Sequence, residues 1–289
     1  MQQTPIICTS SLLRTTKATT GVAKDIADAL ARLGIEHMEL ADTNDYWCRD
    51  YMPVPLCGDG AYSNYTYRPD YLWDCKSKRP YITEQSRACE GLDLFTPTSL
   101  NIIFDGGNYV RCNGKVIMTD KVFMENPQWT ADRLLQHLHH ALCAEIIIIP
   151  WDMRDPCGHA DGMVAPLDDG RLLLNNYIQD KRCKAFHKRL HKILDAHFEV
   201  IDLSYDCKLE YDSWCYLNFL NLPNALLLPA LSEHFDSDND KAAIRVMQTH
   251  FPDKQIIPIY AKPLTEDGGA LHCVTWEYVP NKQQASPMP

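Results

Sequence analysis

Apolar positions along this chain alternate between helical and strand spacing in a regular order. Val22, Ile26, Ala29, Leu30 and Leu33 share one helical face, which predicts a helix ending at the C-cap glycine Gly34. Similar faces predict helices over 134–142, with Thr130 as N-cap, over 186–194 and over 243–251. Short apolar runs predict strands at 6–8, 37–40, 102–104, 146–149, 200–203, 225–228 and 256–260.

Polar turns separate these elements at about every 55 residues, near positions 50, 105, 159, 213 and 268. The order of helix, apolar strand, polar turn and strand pair occurs five times, although the turns share no common sequence word. Such regularity predicts a closed arrangement of five units in which equivalent strand ends converge on one axis. The alternative is an ordinary α/β sheet whose units happen to have similar lengths.

The second unit has the least regular pattern. Residues 58–80 are rich in tyrosine, proline and glycine and predict strand and loop, followed by a short helix near 83–90. After Ile102-Ile103-Phe104, a hairpin is predicted to turn at Asn113-Gly114.

Composition places the chain among soluble globular proteins, with 45% hydrophobic and 23% charged residues in 289. No proline-, serine- or glycine-rich linker separates the units, so we predict one domain over residues 1–280 and a polar tail over 281–289. The chain has no apolar run of about eighteen residues and no secretory leader at its start, which predicts a cytoplasmic protein without a membrane partner. A net charge of −10 argues against nucleic acid as a partner.

The twelve cysteines are scattered and form no CxxC pair. This distribution predicts buried free thiols in a reducing compartment and argues against a structural zinc site built from such pairs. His137, His139 and His140 are interpreted as the surface of a helix and not as a metal site.

Five residues at the predicted turns carry chemistry: Asp50, Asp105, His159, Asp161 and Cys273. Cysteine is a nucleophile as thiolate, and histidine exchanges protons near neutral pH. Carboxylates that converge in one pocket repel each other unless a cation lies between them. The set therefore favours a cationic substrate, and a planar guanidinium matches paired carboxylates through bidentate hydrogen bonds.

Each of these residues also has a structural interpretation. Asp50 could pair with Arg49 at the surface, Asp105 could be an ordinary turn residue, and Cys273 could fill a small core position. His159 and Asp161, two residues apart, would point the same way on a strand and could form a structural pair. Their periodic placement is what favours a common site.

Four short motifs, in order from residue 47 to 273, resemble one known family. They are Trp47-Cys48-Arg49-Asp50 with Pro53, Asp105-Gly106-Gly107-Asn108, Gly158-His159-Ala160-Asp161 and Gly268-Gly269-Ala270-Leu271-His272-Cys273. The sequence resembles the agmatine deiminase and bacterial peptidylarginine deiminase family of guanidino-group-modifying enzymes. The resemblance implies the α/β pentein fold, a five-bladed propeller with pseudo-fivefold symmetry, which agrees with the repeat.

The resemblance also implies roles for the site residues. Cys273 would attack the guanidinium carbon, Asp50 and Asp161 would hold the guanidinium nitrogens, and His159 would protonate departing ammonia and then activate water. A covalent thiouronium adduct would be hydrolysed to a ureido product without metal or organic cofactor. Asp105, Trp47, Asn108 and Gly269 complete the implied substrate site.

Departures from the family pattern leave the substrate open. Agmatine deiminases usually carry a longer acid at the position of Asp105 and an asparagine at that of Ala270, and the stretch 270–277 is closer to the peptidylarginine deiminase branch. We expect a guanidine iminohydrolase for agmatine or a similar small guanidino compound. A deiminase of free or peptidyl arginine, an amidinotransferase and a catalytically silent guanidino-binding protein are the alternatives. Arg68 and Arg111 are candidates for binding a substrate carboxylate, and a homo-oligomer is left open.

Overall fold

The computed structural model describes residues 4–56, 60–168 and 170–280. Its strands are β1 (Ile6–Ser10), β2 (His37–Leu40), β3 (Val54–Pro55), β4 (Ala61–Thr66), β5 (Phe95–Ile103), β6 (Val110–Cys112), β7 (Lys115–Thr119), β8 (Glu145–Ile149), β9 (Val164–Pro166), β10 (Arg171–Leu174), β11 (Glu199–Asp202), β12 (Leu220–Asn221), β13 (Ala225–Ala230), β14 (Gln255–Tyr260) and β15 (Trp276–Tyr278). Its α-helices are α1 (Ser11–Thr15), α2 (Thr20–Leu33), α3 (Cys48–Tyr51), α4 (Asp70–Trp73), α5 (Gln85–Ala88), α6 (Lys121–Glu125), α7 (Ala131–Leu142), α8 (Lys184–Leu194), α9 (Asp238–His250) and α10 (Lys262–Thr265).

The strands of the described residues form five three-stranded sheets with one topology. The sheets are β15-β1-β2, β3-β4-β5, β6-β7-β8, β9-β10-β11 and β12-β13-β14. In each sheet the middle strand pairs antiparallel with one neighbour and parallel with the other. A parallel pair requires a crossover connection, and the predicted helices supply it in four of the five sheets. The five-unit prediction is confirmed, and the single-sheet alternative is wrong.

The first sheet joins the two ends of the chain. β15 pairs antiparallel with β1, with Ile7 opposite Glu277, so the strand that follows the last turn completes the first sheet. This pairing brings the turn at 268–273, which carries Cys273, next to the turn at 47–50. A hydrogen bond joins the two turns: Arg49 N donates to the Cys273 carbonyl oxygen at 3.1 Å.

Each long helix packs between its own sheet and a neighbouring one. Val22, Ile26 and Leu30 of α2 are buried in a cluster with Leu227 of β13 and Ile257 of β14. α7 shares a cluster with β5, and α8 shares one with β8. Burying an aliphatic side chain of this size contributes about 1.5–3 kcal/mol, so the helical faces read from the sequence hold adjacent sheets together.

The second sheet departs most from the prediction. The predicted helix at 83–90 is reduced to α5, and the connection is divided among α4, a 3-10 turn over 79–81 and α5. Pro69, Pro80 and Gly91, whose φ is +82°, interrupt helical geometry here. β5 is also longer than the predicted strand at 102–104, and its pairing with β4 is irregular.

Several predictions on chain organisation concern residues outside the described ranges. The polar tail at 281–289 and Cys57 lie there, so the domain boundary at 280 stays a prediction. The prediction of buried free thiols is wrong for two cysteines. Cys75 and Cys143 have free thiols but are exposed. Within the described ranges, no helix combines the length and apolar composition needed to cross a bilayer.

Candidate active site

The predicted turns meet, and hydrogen bonds link them in sequence. Four of them are short helical turns: α3 and three 3-10 turns at 106–108, 160–162 and 211–217. Gly107 N donates to Asp50 Oδ1 at 3.1 Å, which joins the first turn to the second. His159 Nε2 lies 2.9 Å from Asp105 Oδ2, which joins the second to the third.

Asn218 completes the circle on the other side. Its Nδ2 donates to the Asp161 carbonyl oxygen at 3.5 Å, and its Oδ1 accepts from Cys273 N at 3.3 Å. With the bond from Arg49 N to the Cys273 carbonyl oxygen, the five turns form a closed ring of contacts. Asp50, Asp105, His159, Asp161 and Cys273 are each at most 8% exposed, so polar groups distant in sequence share one buried space.

His159 sits between two carboxylates. Its Nε2 faces Asp105, and its Nδ1 lies 3.5 Å from Asp50 Oδ1. Burial by itself lowers the pKa of His159, but the charges of Asp50 and Asp105 outweigh it and raise that pKa to about 10. Burial also raises the pKa of Asp50, with Asp105 and Asp161 adding to it against His159. We assign the ion pair to His159 and Asp105, whose atoms are closer, so the imidazole is protonated at neutral pH.

Cys273 sits on the opposite side of Asp161 from these groups. Its Sγ lies 3.3 Å from Asn218 Oδ1 and 3.8 Å from Asp161 Oδ2. Burial, followed by the charges of Asp161 and Asp50, raises the pKa of the Cys273 thiol well above its ordinary value. Placing a cation between these carboxylates and the sulfur would favour the thiolate, because it removes the like-charge penalty.

His272 holds Asp161 in its ionised form. Its Nδ1 lies 2.6 Å from Asp161 Oδ2. Burial acts to raise the pKa of Asp161, but the hydrogen bond and charge of His272 lower it below its ordinary value. Asp161 is therefore a carboxylate at neutral pH, beside the sulfur and able to accept hydrogen bonds from a cation.

The local backbone at His159 and Asp161 differs from the structural alternative, in which they form a pair on one strand. They do not lie on a strand with parallel side chains, because residues 160–162 form a 3-10 turn. The turn sends His159 towards Asp105 and Asp161 towards Cys273, so they serve two sides of the site instead of pairing. Residues 271–274, which include Cys273, also form a turn, and the strand follows as β15.

Trp47, Gly269 and Asn108 have packing and bonding roles around the site. A Cβ on Gly269 would come within 2.2 Å of the Trp47 ring, so glycine is required for the ring to lie against this turn. Asn108 Oδ1 accepts from Thr119 N at 2.8 Å, which fastens the second turn to β7. The substrate-contact roles implied for all three stay predictions.

Gly107 is expected to be essential for the alignment of His159 and Asp50. A Cβ at this position would lie 2.6 Å from His159 Nδ1 and 2.7 Å from Asp50 Oδ1, both far below van der Waals contact. Gly107→Ala should therefore lower kcat/KM by about 100-fold, as misplacement of catalytic groups by about 1 Å does. Steady-state kinetics on the preferred guanidine would measure this loss.

Gly21→Ala is the matched control for Gly107→Ala, since a Cβ on Gly21 in α2 meets nothing within 4 Å. It should leave turnover unchanged and stabilise the fold by about 0.5–1 kcal/mol. Wild-type kinetics for a folded Gly107→Ala protein would contradict the alignment argument.

A cavity of about 780 Å³ opens onto this site. His159, Asp161, Asn218 and Cys273 line it, together with charged residues from the segments 152–182 and 208–212. The cavity wall does not include the other predicted site residues, which are Asp50, Asp105, Trp47, Asn108 and Gly269. The basic side chains on the wall are Arg154, Arg182 and Lys208.

The predicted carboxylate-binding arginines are placed elsewhere. The Arg68 guanidinium lies over the Trp73 ring at 5.1 Å, and Arg111 donates to the Pro55 carbonyl oxygen at 3.1 Å. Neither residue lines the cavity.

Sequence reasoning missed three residues at the site. One feature of the sequence could have indicated Asn218: the fourth turn, near residue 213, was the one predicted turn to which no site residue was assigned. His272 lies inside a recognised motif, but its partner Asp161 is distant in sequence. Lys121 had no signal: its side chain is 1% exposed, and its Nζ lies 2.9 Å from Asp70 Oδ1 and 5.0 Å from the centre of the Tyr71 ring. This lysine ties the loop after β4 to the third sheet, and the Tyr71 ring contacts His159 edge-on.

Fold and site together define a chain of the pentein type with a cysteine, a histidine and carboxylates at the meeting point of five sheets. Residues 3–279 match the model of the Porphyromonas-type peptidyl-arginine deiminase family, and the chain belongs to that family. The predicted family and enzyme class, a hydrolase acting on C–N bonds, are confirmed by this membership.

Individual relatives are distant in sequence. Proteins named "putative agmatine deiminase" from Enterococcus faecalis and Streptomyces avermitilis are 24% and 23% identical to this chain. The first alignment covers 80% of this chain and 74% of the relative, and the second covers 86% and 78%.

Solved structures share the fold at still lower identity. The C. jejuni agmatine deiminase has a TM-score of 0.74 and 16% identity, with 96% of this chain and 93% of that chain covered. The DDAH from Pseudomonas aeruginosa has a TM-score of 0.60 and 13% identity, with 96% and 100% covered. These similarities confirm the predicted five-bladed α/β fold.

Proposed function

We propose that this protein is a cysteine-dependent guanidine iminohydrolase that converts agmatine, or a similar small guanidino compound, to its ureido product and ammonia. The observation that carries the proposal is the arrangement of three groups on one cavity wall. Cys273 Sγ lies 3.8 Å from the ionised Asp161, and a protonated His159 lines the same cavity. A nucleophile, a cation-binding carboxylate and a proton donor are the groups that guanidine hydrolysis needs.

In the first half of the proposed reaction, Asp161 on the cavity wall holds the guanidinium with its carbon next to Cys273. The predicted contact of Asp50 with a guanidinium nitrogen needs the substrate to reach past this wall, since Asp50 does not line the cavity. Burial and then the charges of Asp161 and Asp50 raise the thiol pKa, and the positive charge of the substrate beside the sulfur acts against both, so it favours the thiolate. Sulfur attacks the guanidinium carbon and forms a C–S bond. One C–N bond then breaks, and His159 gives its proton to the nitrogen that leaves as ammonia.

In the second half, the product carbon remains on sulfur as a thiouronium group. His159, now neutral, takes a proton from water as the water oxygen attacks this carbon. The C–S bond breaks, the ureido product leaves, and Cys273 and the imidazolium are restored. Asp105 supports both steps through its 2.9 Å contact with His159 Nε2, because it fixes the ring and stabilises its charged form.

The cavity wall favours a small substrate with a second positive charge. Its acidic residues are Asp152, Asp155, Asp161, Asp180, Glu210 and Asp212. Of the three basic side chains, Arg154 and Arg182 are ion-paired with Asp180. A net negative wall attracts the amine of agmatine more than the carboxylate of arginine.

Turnover of a substrate panel tests this proposal. We expect purified protein to convert agmatine to its ureido product with a higher kcat/KM than free arginine or an arginine-containing peptide. Glu210→Gln should raise KM for agmatine about 2- to 5-fold with kcat unchanged, since Glu210 is exposed and its charge is screened. Glu233→Gln, an exposed glutamate outside the wall, is the matched control.

Each alternative function gives a different outcome in this panel. Consumption of arginine or peptide with agmatine intact would overturn the substrate choice and favour an arginine deiminase. Guanidino transfer to an added amine, without ureido product, would identify an amidinotransferase. Binding of all three guanidines without turnover would identify a silent binding protein.

A further inference from the structure

A second cluster of chemically active side chains lies on the fourth sheet, between its crossover helix and its last strand. His187 and His191 are one turn apart on α8, and Asp202 ends β11. Asp202 Oδ1 lies 2.6 Å from His187 Nε2, and Asp202 Oδ2 lies 3.0 Å from His191 Nε2. One ligand atom from each residue lies within 4.8 Å of the other two, and no other group of this kind occurs in the described ranges.

The two contacts of the His191 ring suit a metal ligand. Its Nδ1 lies 3.0 Å from Asp195 Oδ1, while its Nε2 faces Asp202. A neutral imidazole carries one N–H, so a neutral ring that donates to Asp195 directs the lone pair of Nε2 at the Asp202 carboxylate. In that tautomer Nε2 can bind a metal ion. Histidines that bind metal through one nitrogen usually donate the other N–H to a carboxylate, and the 3.0 Å distance from His191 Nδ1 to Asp195 Oδ1 matches this arrangement.

We propose that His187, His191 and Asp202 bind a divalent transition-metal ion of the zinc type. The ligands are the two Nε2 atoms and one Asp202 oxygen, with the fourth tetrahedral position left for water. Imidazole nitrogens favour zinc and its neighbours over magnesium or calcium, which prefer oxygen ligands. Zinc–ligand bonds of about 2.0–2.1 Å place ligand atoms about 3.3 Å apart, so ligand atoms that lie within 4.8 Å of one another need to move by at most about 1.5 Å.

The ion would fasten α8 to the edge of its sheet. The three side chains are 19–24% exposed, so an ion can reach them from solvent. None of them lines the cavity at Cys273, which gives the ion a structural role and no part in guanidine hydrolysis. From Asp202 the chain continues to Tyr205, whose backbone N–H donates to Gln179, and then to the cavity wall at 207–214.

Zinc binding by the full chain tests the proposal. We expect equilibrium dialysis to find one zinc ion per chain that is lost in His187→Ala and in His191→Ala. Asp195→Asn should keep the ligands but weaken binding about 10- to 100-fold, as the loss of such carboxylate partners does. Zinc should raise the melting temperature of the wild type and not that of the two alanine variants, whose folding circular dichroism verifies.

Two controls separate this site from adventitious binding to the many thiols. His139 and His140 on α7 are a second pair of neighbouring histidines, with ring centroids 5.3 Å apart. His139→Ala and His140→Ala should leave zinc binding unchanged. Cobalt substitution should give a tetrahedral spectrum without a thiolate-to-metal charge-transfer band. A thiolate band, zinc binding that survives His191→Ala, or failure of the wild type to bind zinc would each overturn the proposal.

Discussion

Replacing Cys273 with alanine is expected to abolish conversion of guanidines, with a loss on the order of 10⁴-fold or more in kcat. The sulfur is the atom that forms the covalent adduct. Among the cysteines that the structure describes, Cys273 alone lies on the cavity wall in contact with both Asp161 and Asn218. Ureido-product assays measure the loss. Mass spectrometry of the wild type quenched during turnover should find the thiouronium adduct on the peptide that contains residue 273.

Cys8→Ala is the matched control for the nucleophile. Cys8 is also a fully buried thiol, and burial raises its pKa to about 12, but it lies in β1 and not on the cavity wall. Its variant should keep turnover and lose only a small part of the free energy of unfolding. Equal turnover by wild type and Cys273→Ala would sink the covalent mechanism. Calorimetry with the Cys273→Ala protein should still detect agmatine binding, because Asp161 and His159 remain.

Replacing His159 with asparagine is expected to lower kcat about 10²- to 10⁴-fold, the usual contribution of a positioned acid–base group. The amide of asparagine cannot give a proton to departing nitrogen or take one from water. It also leaves Asp50 and Asp105 buried without a cation between them, which costs stability. His137→Asn on the surface of α7, where the ring stacks on Trp129, is the control and should keep turnover.

The pH dependence of the wild type follows from the same two groups. The active form needs Cys273 as thiolate and His159 as imidazolium. Because the thiol pKa in free enzyme is well above its ordinary value, kcat/KM should rise with pH through the neutral range. It should fall as His159 loses its proton, since the pKa of that residue is about 10.

The raised pKa of His159 in the folded state also makes the stability of the protein depend on pH. It is raised from an ordinary value of 6.5, so the stabilisation it contributes is fully present below pH 6.5 and is lost as the pH approaches about 10. Asp105→Asn removes the charge that supports the imidazolium, and it should move the alkaline limb of kcat/KM to lower pH. A pH profile that is the same in wild type and Asp105→Asn would contradict the assignment of the ion pair.

Much of the candidate site could be found from local sequence because its residues lie in short motifs at a fixed spacing. Asp50, Asp105, His159 and Cys273 each follow a buried strand or adjoin a glycine-containing turn, and the repeat indicated that such turns converge. The direction of each side chain could not be found in this way. His159 and Asp161 diverge because a 3-10 turn replaces the expected strand, and that choice depends on contacts with Asp105 and Cys273.

Asn218 and Lys121 show the second limit of local reasoning. Asn218 becomes a partner of Cys273 only because the fourth and fifth turns meet at the axis, 55 residues apart in sequence. Lys121 is an ordinary polar residue in the chain, and its burial against Asp70 and Tyr71 depends on how the irregular second connection crosses the third sheet. Proline and glycine in that connection indicate that it is not one continuous helix, but they do not determine its path.

The sequence by itself determined the number of blades, the crossover helices of four of them and the residue types at the five turns. The spacing of apolar residues and the residue types at turns are local properties of the sequence. Their fivefold repetition indicates the overall architecture. The tertiary structure decided which turn atoms touch, which carboxylate faces the sulfur and which supports the imidazole. It also determined the raised pKa of His159 and Cys273. These properties come from burial and charge at distances of a few ångströms, where electrostatic energy is set by three-dimensional neighbours and not by sequence separation.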